Sequence, residues 1–273
     1  MFNANGNDAT CTLDENGQRR GARILGCFID ATLWQEVVDT LLHWAKDRQS
    51  RYVCICNVHV AVTAKHTPEL RRIVNEADMA TPDGMPLVWM LRRMGFPSQE
   101  RINGPDLMWR LCGQAAENGL STFMYGSTPG TLARLTDNLK RAFPQLAIAG
   151  VYSPPFSLLS EEEDREITDR INGSGAQIMF VGLGCPKQEL WMAAHRGKIQ
   201  GVMIGVGAAF DYHAGTVRRA PLWMQRSGLE WLFRLMSEPG RLWKRYLVTN
   251  SLFVIYLGLE FLKGRGNCRG DRS

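Results

Sequence analysis

From residue 23 to residue 211, short β-rich apolar runs alternate with stretches of helical periodicity, and few folds tolerate that rhythm. The strand-like runs are Ile24–Ile29, Tyr52–Cys56, Met79–Thr81, Thr122–Tyr125, Leu146–Val151, Gln177–Val181 and Gly201–Ile204. Leu33–Arg48 reads as a helix with Leu33, Val37, Leu41 and Trp44 on one stripe. His59–Ala77, Met85–Met94, Gly104–Asn118, Thr131–Ala142 and Lys187–Arg196 read likewise, and Ser160 with Glu163 forms a capping box for a helix running to Asn172. Strands separated by helices of about 10–15 residues need crossover connections, which build a mostly parallel sheet covered on both faces. The expected fold class is therefore α/β, a doubly wound sheet over 23–211. In such sheets ligands gather beyond the C-terminal strand ends. Four polar loops stand there: Asn57, Pro82-Asp83-Gly84, Gly126–Gly130 and Gly182–Gln188.

After Asp211 the texture changes. Pro221–Ser237 and Gly240–Phe261 read as helices in which Trp223, Trp231, Trp243 and Phe253 interleave with arginines. Residues 212–273 carry eleven Lys/Arg against four Asp/Glu, so the chain's net charge of +5 sits in this tail over a slightly acidic body. A nucleic-acid binder usually spreads its basic stripe over the folded body; a basic, aromatic-rich tail fits an anionic surface or substrate met by the tail alone. The apolar stretch Leu247–Leu262 is interrupted by Thr249, Asn250, Ser251 and Glu260, too short and too polar to span a bilayer but suited to an interfacial helix. The seven cysteines show no framework spacing, which reads as reduced thiols in a cytoplasmic compartment. Residues 1–22 open on a polar, Asn/Gly-rich run and are expected to be a disordered lead-in.

Several chemistries lack their signatures. No GxxxxGK[ST] phosphate loop occurs, and Gly182-x-Gly184 and Gly205-x-Gly207 each lack the third glycine of a dinucleotide fingerprint. Asp-x-Asp metal clamps, zinc spacings and a Gly-x-Ser-x-Gly elbow are also missing. What remains is phosphate recognition by backbone and cations. Gly126–Gly130 and Gly182–Pro186 each follow a strand and open a helix, whose free N–H groups and positive dipole end suit a diphosphate; tight βα turns are the plainer reading of either. Asp83 lies in a turn at the sheet's mouth, positioned either to take a proton or simply to cap the next helix. His59 and His66 read as structural.

Taken together, these loops resemble the bacterial WecG/TagA/CpsF family of glycosyltransferases (glycosyltransferase family 26). The resemblance runs through Asn57, Asn75-Glu76-Ala77-Asp78, Pro82-Asp83-Gly84, Arg101, Gly104-x-Asp106-Leu107 and Gly126-x-x-Pro129-Gly130. It continues through Gly184-x-Pro186-Lys187-Gln188-Glu189, Gly205-Val206-Gly207 with Phe210-Asp211, and Arg219-Ala220-Pro221. It closes on Gly228-Leu229-Glu230-Trp231, Arg234-Leu235 and Glu238-Pro239-x-Arg241. The resemblance implies a Rossmann-like core and a C-terminal appendage over 212–273 that helps complete the site and reach the membrane. It implies inverting, metal-independent transfer of a sugar (N-acetylmannosamine, its uronic acid, or glucose) from a UDP donor to a polyprenyl-diphosphate-linked sugar, with no cofactor. On this resemblance Asp83 is the general base, Arg101 and Gln188 act in catalysis or substrate binding, Asn57 stands beside them, and Asp211 lies in the donor pocket. Some members carry a Thr two residues before the Asn; Ile55 stands there in this chain.

The implied substrate contacts are Gly126, Gly130, Gly184, Lys187, Gly207 and Asp211, with Arg218, Arg219, Arg234 and Arg241 as cationic donors from the tail. The implied partners are a UDP-sugar, an undecaprenyl-diphosphate-linked acceptor and the inner face of the cytoplasmic membrane, with no nucleic acid. A homo-oligomer that displaces the appendage stays open. Tyr152-Ser153-Pro154-Pro155-Phe156 is more similar to exopolysaccharide members than to teichoic acid ones. Two other readings remain at this point: a nucleotide-sugar dehydrogenase or epimerase, and a non-catalytic, membrane-tethered UDP-binding module.

Overall fold

The computed structural model describes residues 19–155 and 160–267, with side chains left aside for Arg241 and residues 260–267. Six parallel strands form its centre: β3 (Arg51–Cys56), β4 (Met79–Pro82), β5 (Ser121–Gly126), β6 (Ala147–Tyr152), β7 (Ile178–Gly182) and β8 (Val202–Gly205), in the order β4-β3-β8-β7-β5-β6. Alternate residues feed two apolar layers. Tyr52, Cys54 and Cys56 of β3 with Met179 and Val181 of β7 face one side; Val53, Ile55, Ile178 and Phe180 face the other. That two-sided burial is why the strands read as continuous apolar runs.

The first layer is covered by α2 (Val58–His66), α3 (Pro68–Glu76), α4 (Met85–Arg93), α7 (Glu161–Gly173) and α8 (Lys187–His195). The second is covered by α1 (Trp34–Lys46), α5 (Gly104–Glu117), α6 (Pro129–Ala142) and α9 (Ala209–His213). The expected α/β, Rossmann-like class holds, as do the Ser160–Glu163 capping box and the buried stripe Val37, Leu41 and Trp44.

Three local expectations are corrected. Ile24–Ile29 is not one strand but an antiparallel hairpin, β1 (Gly21–Ile24) and β2 (Cys27–Asp30), turning at Leu25 and Gly26 with φ of 52° and 87°. Two positive φ values in a row are the two-residue hairpin turn; Leu25 masks the signal because burial of its side chain offsets the strain. His59–Ala77 breaks into α2 and α3 at Thr67-Pro68, where proline opens the second helix instead of continuing the first. The lead-in ends before residue 22: Arg19 forks onto buried Asp30 (2.9 and 2.5 Å), whose Oδ2 also accepts from the Ala80 N–H. Residues 1–18 lie outside the described residues.

The tail forms α10 (Leu222–Arg226), α11 (Glu230–Ser237) and α12 (Pro239–Asn267). Pro221–Ser237 is thus two helices, broken where Gly228 takes φ 74°. α12 lays Leu242, Tyr246, Thr249 and Phe253 inward, packs against α2 and α11, and leaves Leu247, Val248, Val254 and Ile255 exposed. No helix among the described residues is long and apolar enough to cross a membrane. The boundary expected at 211/212 falls inside α9, whose Phe210 is core and whose His213 Nε2 meets the Pro105 carbonyl at 2.8 Å.

Gly126 makes a close backbone approach between β5 and β7. At φ 125°, a Cβ there would lie 2.6 Å from the Gly182 carbonyl carbon and oxygen. Gly126→Ala is expected to cost about 3 kcal/mol, read as a lower denaturation midpoint with an unchanged slope.

Candidate active site

The C-terminal ends of β4, β3, β8 and β7 open into a polar cavity of about 520 Å³, bordered by a smaller, mainly apolar one of about 290 Å³ under α11 and α12. Asn57, Asp83 and Arg101 line both. Asn57 follows β3 and caps α2, its Oδ1 accepting from the Val60 N–H at 3.2 Å. Asp83 follows β4, and its N–H donates to the Cys56 carbonyl at 2.7 Å, which extends the sheet by one residue. It does not cap the next helix: Gly84 is the N-cap of α4, with no side-chain bond. The Asp83 carboxylate instead accepts from Arg101 Nη2 at 2.9 Å through Oδ1.

Arg101 is committed to carboxylates and carbonyls. Its Nε donates to the Asp83 carbonyl, its Nη1 to the Gln225 carbonyl (3.4 Å), and its Nη2 to both Asp83 and Glu230 Oε2 (2.7 Å). Burial opposes the guanidinium's charge, but the two carboxylates outweigh it and hold Arg101 above its ordinary range. Burial likewise pushes the Asp83 carboxyl up; Arg101 pulls it down and Glu230 pushes it up again, leaving it above the usual aspartate range. An aspartate so placed accepts a proton more readily than a free one.

Gln188 acts as a brace. Its Oε1 accepts from the N–H groups of Gly184 and Gly207, both at 3.1 Å, and its Nε2 donates to Glu189 (2.9 Å). The side-chain amide is thereby used in tying the β7 and β8 loops together, and both glycines hold positive φ. Gly184, Gly207 and Asp211 line the polar cavity, the two glycines held there by Gln188 and Asp211 by the α9 turn.

Other expected residues lie elsewhere. Gly126 ends β5, one strand beyond β7, Gly130 lies in the first turn of α6, and neither lines a cavity; Lys187 and Arg218 are exposed and also outside both. Arg219 forks onto Asp106 (2.5 and 2.9 Å) and also donates to Asn103 (3.0 Å), pinning the start of the tail to α5. The Arg241 side chain lies outside the described ones. Of the tail arginines proposed for the site, Arg234 lines both cavities, over the Tyr212 ring at 5.7 Å. Arg234 Nε and Tyr212 Oη are buried with no hydrogen-bond partner among the described residues.

Four residues of the walls were given no place in the site by sequence: His59, read as structural, Glu230, quoted only as part of a motif, and Tyr212 and Arg245. Burial and the neighbouring Arg245 lower the His59 imidazole to about 4, so it is neutral near pH 7. Glu230 and Arg245 come from the tail, and only Glu230's place in Gly228-Leu229-Glu230-Trp231, a lone acid amid apolar residues, could have signalled it.

The arrangement offers one carboxylate with raised proton affinity between a polar and an apolar cavity, with cations on the wall opposite the sheet. The sequence profile of the glycosyl transferase WecG/TagA/CpsF family matches residues 22–267. The N-acetylglucosaminyldiphosphoundecaprenol N-acetyl-beta-D-mannosaminyltransferase of Bacillus spizizenii is 32% identical over 221 residues, covering 81% of this chain and 84% of that protein. With the profile spanning nearly the whole described fold, appendage included, the chain belongs to the WecG/TagA/CpsF family of glycosyltransferases.

Proposed function

We propose that the protein transfers a sugar from a UDP donor, with inversion and without a metal, to a polyprenyl-diphosphate-linked sugar at the inner face of the cytoplasmic membrane. One observation carries the reading: Asp83 stands where the polar and the apolar cavity meet. The polar cavity takes the UDP-sugar and the apolar one admits the lipid-linked acceptor. The acceptor hydroxyl attacks the anomeric carbon from the face opposite UDP, and Asp83 removes its proton as the new C–O bond forms and the bond to UDP breaks. The leaving diphosphate is met by Arg234, Arg245 and the Tyr212 hydroxyl. That division differs from the expectation for Arg101, whose guanidinium is occupied in orienting the base.

Membrane arrival has a physical basis in the tail. Leu222, Trp223, Met236, Leu247 and Val254 are each more than half exposed, beside Arg226 and Lys244. Apolar anchors among cations suit an anionic lipid surface. The activity named for the Bacillus relative makes UDP-N-acetylmannosamine the first donor to test and an N-acetylglucosamine-bearing acceptor the first partner. The two readings left open by the sequence, a dehydrogenase or epimerase and a non-catalytic module, have no support from the family.

Mass spectrometry of a synthetic prenyl-diphosphate glycan incubated with a panel of UDP-sugars tests the proposal. One donor is expected to add one sugar residue, with the rate unchanged by EDTA. Absence of any adduct, or silencing by the chelator, would refute it.

A further inference from the structure

Glu230 lies 129 residues from Arg101 in sequence, yet the same Arg101 nitrogen serves both Glu230 and Asp83. An Nη2 group has two hydrogens, and both are spent here, one on each carboxylate. Asp83 therefore receives one side-chain hydrogen bond, at Oδ1, and Oδ2 receives none from the described residues. We propose that Glu230 is a positioning residue for the base: by occupying the second N–H of Arg101 Nη2 it keeps Asp83 Oδ2 open to the acceptor hydroxyl, so that the base is complete only while α11 is docked. The inference rests on the transfer reaction proposed above.

The physical argument is one of charge. An aspartate alone against a guanidinium is a closed ion pair, strongly favoured as the anion and correspondingly poor at taking a proton. A second carboxylate on that guanidinium neutralises it and repels the first, which restores proton affinity. The other charged or titratable groups that line the two cavities with Asp83, or act on it from just outside them, are His59 of α2, Cys185, Asp211 and Tyr212 of α9, Arg219, Arg234 of α11, and Arg245 and Tyr246 of α12. His59 is neutral, Arg219 is held by Asp106, and Arg234 and Arg245 are left unchanged by the test below. Glu230 is 14% exposed and its carboxylate has Arg101 as its side-chain partner, so a change of its charge is felt first at Arg101.

Glu230→Gln retains an acceptor oxygen for Arg101 but removes the charge; Glu230→Ala removes both. In the full-length chain, Glu230→Gln is expected to lower kcat by about tenfold, to shift the acidic limb of the pH–rate profile to lower pH, and to leave donor KM within about threefold. Glu230→Ala is expected to lose about a hundredfold, again in kcat. Glu230→Asp, which keeps the charge, should return the acidic limb toward that of the unmodified protein. A second readout is free of turnover: the carboxyl carbon of Asp83 in 13C-aspartate-labelled protein, assigned by its loss in Asp83→Asn, should titrate at lower pH in Glu230→Gln. Coincident titrations and coincident pH limbs would overturn the proposal, as would losses appearing in KM alone. If the unmodified protein moves no sugar, the function proposed above falls, and the carbon titration still decides whether Glu230 controls Asp83.

Discussion

Asp83→Asn is expected to reduce transfer by about two orders of magnitude or more while leaving UDP affinity close to that of the unmodified protein. Asparagine has the same shape, and the bonds that locate this turn are made by backbone: the N–H to the Cys56 carbonyl, and the residue's own carbonyl to Arg101 Nε. What disappears is the oxygen that accepts the proton. Stability supplies an independent check of sign. Burial raises the folded-state proton affinity of Asp83, so folding disfavours its charged form and the cost grows as pH climbs past the unfolded-state value. Asp83→Asn removes that cost. The variant should melt at the same temperature as the unmodified protein in acid and at an equal or higher temperature near neutrality. A near-normal rate with an intact melting profile would hand the proton to Glu230, the other carboxylate that lines both cavities among the described residues.

The parallel sheet and the strand ends that line its cavities were legible because both follow from local pattern. Each strand is a run of apolar residues buried on two sides, and Asn57, Asp83 and Gly207 come directly after such runs. Features set by a single residue against its surroundings were not. Leu25 takes a glycine-like φ that its side chain type does not announce, and Gln188 looks the same in sequence whether it binds substrate or ties two loops. Gly126–Gly130 has the composition of a phosphate loop, but its place one strand beyond β7 is decided by strand order, which composition does not encode. The partners of Arg101 were hidden for a different reason. Gln225 and Glu230 reach it only once the tail has folded back over the strand ends, a contact between segments more than 120 residues apart.

That dependence on the tail sets up the largest expected loss. Ending the chain after Val217 should abolish transfer, by more than about a thousandfold, and leave a folded α/β body. The cut keeps α9, whose Phe210 and Ala214 complete the second apolar layer, and whose backbone carbonyl at Asp211 caps the following turn through Thr216 and Val217. It removes Glu230 from the base, and Arg234 and Arg245 from the cavity wall. Removal of one preorganised donor from a developing negative charge costs about a hundredfold to a thousandfold, and here two cations and the base's second carboxylate go together. The body loses little by comparison: among the described residues buried in the two sheet layers, Phe253 alone lies beyond the cut. Circular dichroism should therefore stay native, with some loss of melting temperature from the exposed face of α2, while UDP affinity falls with the arginines. Since Glu230→Ala keeps Arg234 and Arg245, its donor affinity should survive where that of the truncated chain does not. A truncated chain that transfers sugar at the full rate would show that the strand ends suffice without the tail, and the assignment of the leaving group to Arg234 and Arg245 would fail with it.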